Sequence, residues 1–179
     1  MFNSTIQPMP EALHQDSEET APNSISKPAD THIEVSLQSG PVSVTHLDWP
    51  KACGAEAVFA GRTRHANHRQ FGILKRLEYE VYAPMAKKIL MEIALETTRQ
   101  FGCQAVRLVH AQGPILPGEA SVVVQIATPH RKEAFSACRH AIDQIKQRLP
   151  IWKHEIWENG RTFAQGCCIH SKHVPTVST

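Results

Sequence analysis

Two prolines bracket the most constrained stretch of this sequence. Thr128-Pro129 supplies a capping hydroxyl and then a fixed φ at a helix start, and Pro150 ends that helix. Between them Ala134, Phe135, Cys138, Ala141, Ile142, Ile145 and Leu149 recur at helical spacing, so one face of a long helix turns inward. Past Pro150 the pattern reads as a strand over Ile151–Glu158, and Asn159-Gly160 marks a hairpin turn into Arg161–Ala164. A helix that reverses straight into a strand, which then reverses into another, points to an α+β domain.

The upstream sequence repeats the alternation. His32–Leu37 sets Ile33, Val35 and Leu37 on one parity and runs into a Ser39-Gly40-Pro41 turn. Asp48 is placed to cap a short helix through Trp49 and Pro50. Ala55–Arg64 reads as a strand ending in a basic loop, RTRHANHRQFG. Gly72–Tyr82, with Ile73, Leu77, Tyr79 and Val81 on one parity, reads as a half-buried strand. Pro84 opens a helix to about Gln100, its stripe being Ala86, Ile89, Leu90, Ile93 and Ala94, with Gly102 beyond its end. Val106–His110 and Ser121–Thr128 complete the strands, joined by a turn-rich GPILPGE. The expected architecture is a mixed, largely antiparallel sheet with two long helices.

Composition sets the limits. The 179 residues suffice for one core. Residues 1–31 hold five acids against Lys27 alone and are rich in Pro, Ser, Glu, Asn and Thr, which reads as a disordered acidic leader. The folded domain is expected over 32–166, with a tail over 167–179. Outside the leader, 18 Lys and Arg face 12 Asp and Glu, a balance suited to an anionic small molecule or an acidic partner surface rather than nucleic acid. No apolar run is long enough to span a membrane, and the first residues lack a secretory pattern, so the expectation is a cytoplasmic protein. Five cysteines without a CxxC read as reduced thiols.

The candidate chemistry lies between His130 and Glu155. His130 and Arg131 fall in the first turn of the second helix, where backbone N–H groups already favour an anion. A solvated helix start would look the same, although cations there oppose the dipole. Lys146 lies at the edge of the buried stripe, one residue past Ile145, and Lys153 on the following strand. The reversal at Leu149-Pro150 brings the two near one another. Each alone reads as a snorkelling lysine; together against an apolar wall they suit proton transfer or nucleophilic work. Arg62 and Arg64 end their strand on one face, with Thr63 opposite, as a pair able to grip a phosphate or as an ordinary basic strand end. Strand parity sets Lys153, Glu155 and Trp157 on one face and Trp152, His154 and Ile156 on the other. Cys167, Cys168, His170 and His173 are zinc-binding types without the usual spacing. No Walker A, GxGxxG, GxSxG or HExxH pattern occurs.

The segments GAEAVFAGRTRHAN, LEYEVYAPMA, GPILPGEASVVV, TPHRKEAFSACRHAIDQIKQRLPIWKHE and ENGRTF, in that order, resemble the large, catalytic subunit of molybdopterin synthase, the MoaE family. The likeness runs from about Gly54 to Phe163, and the run from His130 to Glu155 is its most specific part. It implies an α/β-hammerhead fold and a homodimer at the centre of a heterotetramer. Each large subunit would bind a small ubiquitin-like sulfur carrier, whose thiocarboxylated Gly-Gly tail enters a pocket. The implied reaction belongs to molybdenum cofactor biosynthesis: two sulfurs pass to cyclic pyranopterin monophosphate to form the molybdopterin dithiolene, with no metal or organic cofactor. By position, Lys146 would be the essential lysine beside the thiocarboxylate and Lys153 the second active-site lysine. His130 and Arg131 would bind the substrate's anionic groups across the dimer interface. Arg62, Thr63 and Arg64 would form the substrate-binding strand end, and His154 and Glu155 would line the pocket. The sequence departs from the family at Ala111, where an arginine is usual. Two alternatives stand beside the enzyme: a relative that only binds the carrier, and a zinc-dependent protein using the tail.

Overall fold

The computed structural model describes residues 31–163, so the leader and the Cys-His tail lie outside the described residues. Eight strands and two helices follow in the order β1 (His32–Ser39), β2 (Ala55–Arg62), β3 (Asn67–His68), β4 (Gly72–Val81), α1 (Ala83–Phe101), β5 (Ala105–Ile115), β6 (Ala120–Thr128), α2 (Arg131–Arg148), β7 (Ile151–Trp157) and β8 (Gly160–Phe163). The fold is α+β with a largely antiparallel sheet and two long helices, as the patterning implies.

The main path of the sheet is β2-β6-β5-β4-β7-β8, and β1 joins β5 as its parallel pair. β5 serves two halves. Its first part pairs with β1 and β6, and its last residues, Gly113, Pro114 and Ile115, pair with Tyr79, Glu78 and Leu77 of β4. The GPI of the turn-rich segment is therefore strand, because its carbonyl and amide groups complete the ladder that joins the halves. α1 packs over β1 and β5 while α2 packs over β2 and β6. Leu90, Ile93, Val106, Leu108, Val123, Val124 and Ile126 are fully buried between these layers.

β6 is buried over its whole length, which requires polar groups along it to be paired. Gln125, fully buried, donates from Nε2 to Thr45 O and Glu56 Oε1, both at 3.0 Å. Its Oε1 accepts from Arg107 at 2.9 Å, and Arg107 Nε donates to Glu34 Oε1 at 3.0 Å. This network ties β1, β2, β5 and β6 to the segment around Thr45.

Several local expectations give way to packing. Asp48 starts no helix; the segment makes a single turn closed by Cys53 N donating to Pro50 O. Ile73 is 53% exposed and Leu74 is buried instead, because a register shift between Leu74 and Arg76 resets the inward parity of β4. Phe135 is 68% exposed, and Ala137 takes its place on the buried face of α2. Thr128 does not cap the helix N–H groups. His130 is the N-cap residue, and Thr128 Oγ1 donates to its carbonyl at 2.7 Å. α1 ends as expected, on Gly102 at φ 63°, a left-handed turn that a Cβ would strain.

Candidate active site

α2 and β7 are joined by only Leu149 and Pro150, so the last turn of the helix and the first residues of the strand lie side by side. Leu149 is fully buried and its N–H donates to Ile145 O at 3.1 Å, which locks the reversal. Lys146 and Lys153 consequently line the same two cavities.

The first cavity, about 260 Å³, has walls of Phe59, Val122, Ile142, Ile145, Leu149 and Ile151. Its polar lining adds Tyr79, His110 and Ser121 to Arg62 and the lysines. Tyr79 and Ser121 share a hydrogen bond of 3.0 Å between their hydroxyls, and the His110 ring meets Tyr79 edge-on. His110 Nδ1 lies 2.8 Å from Ala111 O, which can only accept, so Nδ1 carries the proton. Burial pushes the His110 pKa down to about 4, outweighing the opposing pull of the Ala111 carbonyl.

The second cavity, about 310 Å³, is lined by Arg62, Thr63, Arg64, Lys146, Lys153, Glu155 and Trp157, with Leu74, Leu77 and Tyr79. Glu155 is the one carboxylate among these lining residues. The Arg62–Arg64 corner is built by backbone: Thr63 N donates to Glu119 O at 2.9 Å, and Gly118 N donates to Thr63 O at 2.8 Å. Thr63 is thereby buried, and the arginines on either side are exposed. Arg62 Nη1 also donates to Gly118 O at 3.1 Å.

The structure thus brings Arg62, Thr63, Arg64, Lys146, Lys153 and Glu155 together. His130 and Arg131 lie elsewhere in the same chain. They line a third, open cavity of about 560 Å³ with Gly54, Ala55, Pro129, Lys132 and Glu133. Lys146 comes sixteen positions after the N-cap His130, roughly 24 Å along α2. There the residue leading into β2 comes so close that a Cβ on Gly54 would sit 2.5 Å from Pro129 O. His154 points away from both lysine-lined cavities, as strand parity requires. Its Nε2 is 3.2 Å from Glu80 Oε2 and its ring packs on Phe163.

Sequence reading missed the Tyr79–Ser121–His110 wall. These residues sit on strands whose burial makes polar and apolar positions look alike in one dimension, and the reversal that brings the lysines over them is a tertiary feature. The measurable consequence of His110 is a pH effect on stability. A histidine of ordinary pKa near 6.5 in the unfolded chain binds a proton that the folded chain refuses until about pH 4. Its contribution is therefore whole above pH 6.5 and lost as pH falls through that window, at up to about 1.4 kcal/mol per pH unit. Urea unfolding midpoints from pH 7 to 4 are expected to fall more steeply for the parent than for His110→Gln.

Comparison with known proteins places this arrangement. The family model described as "MoaE protein" matches residues 35–148. A relative from Staphylococcus carnosus, "Molybdopterin synthase catalytic subunit", is 44% identical over 108 residues, covering 60% of this chain and 70% of its own length. Among solved structures, molybdopterin synthase from Staphylococcus aureus superposes with a TM-score of 0.62 at 32% identity, covering 75% of this chain and 96% of that one. A chain from the complex of subunits 1 and 2 of the molybdopterin-converting factor from Helicobacter pylori shares the fold, with a TM-score of 0.58 at 20% identity over 73% of this chain and 90% of that one. With the family model spanning more than half of the sequence, this chain belongs to the MoaE family of molybdopterin synthase catalytic subunits.

Proposed function

We propose that this chain transfers sulfur from the thiocarboxylated C-terminus of a small ubiquitin-like carrier to cyclic pyranopterin monophosphate, giving the dithiolene of molybdopterin. The observation that carries the reading is the pair of adjoining cavities with Lys146 and Lys153 in both linings. The apolar-walled cavity suits a thin tail without large side chains. The one edged by Arg62 and Arg64 suits a phosphate-bearing ring system. The two anions would meet at the lysines, where fixed positive charge offsets their repulsion.

Sulfur attack, loss of water and hydrolysis of the acyl remnant each move protons. Lys146, set at the junction, is the group that gives and takes them. Lys153 holds the charge beside it. The separation of His130 and Arg131 from the lysines within one chain fits their serving the cavity of a second copy, as in a homodimer that carries one sulfur carrier on each subunit. The two-subunit complex of the Helicobacter pylori relative supports a carrier partner for this chain.

The test is reconstitution of the purified chain with thiocarboxylated carrier and cyclic pyranopterin monophosphate, reading out molybdopterin. Product that depends on the chain is the expected result. Tight carrier binding without product would replace the enzyme with a protein that only binds the carrier, and neither binding nor product would end the proposal.

A further inference from the structure

Glu155 faces Arg62, Arg64, Lys146 and Lys153 across one small cavity, and it shares a strand face with Lys153 two residues away. A carboxylate so placed would ordinarily swing onto the nearest ammonium and cancel charge that an anionic substrate needs. The structure shows what holds it back. Thr162 lies directly opposite Glu155 in the β7–β8 ladder, and its Oγ1 is 3.0 Å from Glu155 Oε2. The same oxygen lies 2.8 Å from Trp157 Nε1.

Chemistry fixes the direction of this chain of bonds. An indole N–H only donates, so Thr162 Oγ1 accepts from Trp157, and its single proton is left for Glu155. The ionised carboxylate only accepts, so no rotation of the hydroxyl serves both neighbours in the opposite sense. Trp157 is itself 8% exposed and packs against His68, which anchors the donor end.

We infer that Thr162, oriented by Trp157, is a positioning residue that turns the Glu155 carboxylate toward β8 and away from Lys153, preserving the cationic character of the cavity. Thr162 is absent from the lining of either lysine-lined cavity, and Trp157 borders the second one at its β7 end. They act through Glu155. The inference takes the cavity as the anion site of the proposed function.

Three variants of the full chain test it: Thr162→Val, which keeps the shape but cannot donate; Thr162→Ser, which keeps the hydroxyl; and Trp157→Phe, which removes the indole donor. Inorganic phosphate, titrated calorimetrically, reads the cationic cavity without any turnover. Thr162→Val is expected to bind it roughly tenfold more weakly than the parent, the scale of one lost hydrogen bond to a charged group. Thr162→Ser is expected to stay within about twofold of the parent, and Trp157→Phe to fall between. In the reconstituted reaction Thr162→Val should lower kcat by a similar factor and leave the KM for the carrier unchanged, with the thermal midpoint held. Equal phosphate affinity in Thr162→Val and the parent would overturn the inference, as would equal losses in the Ser and Val variants. The phosphate titration gives that answer even if the parent makes no molybdopterin, an outcome that would count against the proposed reaction alone.

Discussion

Lys146→Ala is expected to fold like the parent and to lose turnover by roughly 10²–10⁴-fold, the usual contribution of a positioned proton-transfer group. Folding should survive because Lys146 sits at the edge of the α2 stripe, whose buried contacts come from Ala141, Ile142 and Ile145. Turnover should not, because the side chain borders both cavities. Single-turnover formation of molybdopterin, with carrier affinity measured separately, separates the loss of chemistry from a loss of docking. Wild-type turnover in this variant would remove Lys146 from the mechanism. Lys153→Ala provides the internal comparison, since the strand residue borders the same space without ending a helix.

The largest effect expected on stability comes from the other half of the sheet, on β5. Arg107→Leu should destabilise the fold by about 2–4 kcal/mol, less than a fully enclosed ion pair because the Glu34 partner is partly solvated. The arginine is only 7% exposed and satisfies Glu34, the side chain of Gln125 and the Ser43 carbonyl at once. Leucine fills part of its volume but leaves Gln125 Oε1 short of its strongest donor inside the sheet. A fall in thermal midpoint of roughly 6–16 °C is the expected reading for a domain of this size. A change under 2 °C would show that solvent reaches the network more freely than the packing implies. Sulfur transfer in the folded fraction should be unaltered, since Arg107 borders neither lysine-lined cavity.

The elements easiest to read from sequence were those with local punctuation. Pro84 and Gly102 bound α1, and Pro150 with Asn159-Gly160 bounds β7, because these residues constrain the backbone wherever they occur. What escaped was decided by neighbours far along the chain. Ile73 follows the parity of its strand until the β4–β7 register shifts beside it. Phe135 matches the period of α2 but lies on a flank left exposed among the described residues. Gly113–Ile115 has turn composition and becomes strand only because β4 offers a ladder.

The site divides in the same way. Lys146 and Lys153 were legible as neighbours because two residues join their elements, and parity alone separated Glu155 from His154. The bond from Thr162 to Glu155 needs the exact β7–β8 register, and the wall of Tyr79, His110 and Ser121 needs three strands brought side by side. Neither is written in any local pattern.

The pairing of β7 with β4 also sets an order of assembly. Leu77, Tyr79 and Val81 meet their partners Glu155, Lys153 and Ile151 only after some seventy intervening residues exist. A growing chain can lay β1, β5 and β6 together and dock α1 before either lysine-bearing element has left the ribosome, given synthesis at roughly 5–20 residues per second. The cationic cavity would then be the last part of the domain to form, closing only when β7 zips onto the free edge of β4 and β8 onto β7. Until that moment a nascent chain would carry the scaffold without the cavity that Lys146 and Lys153 line.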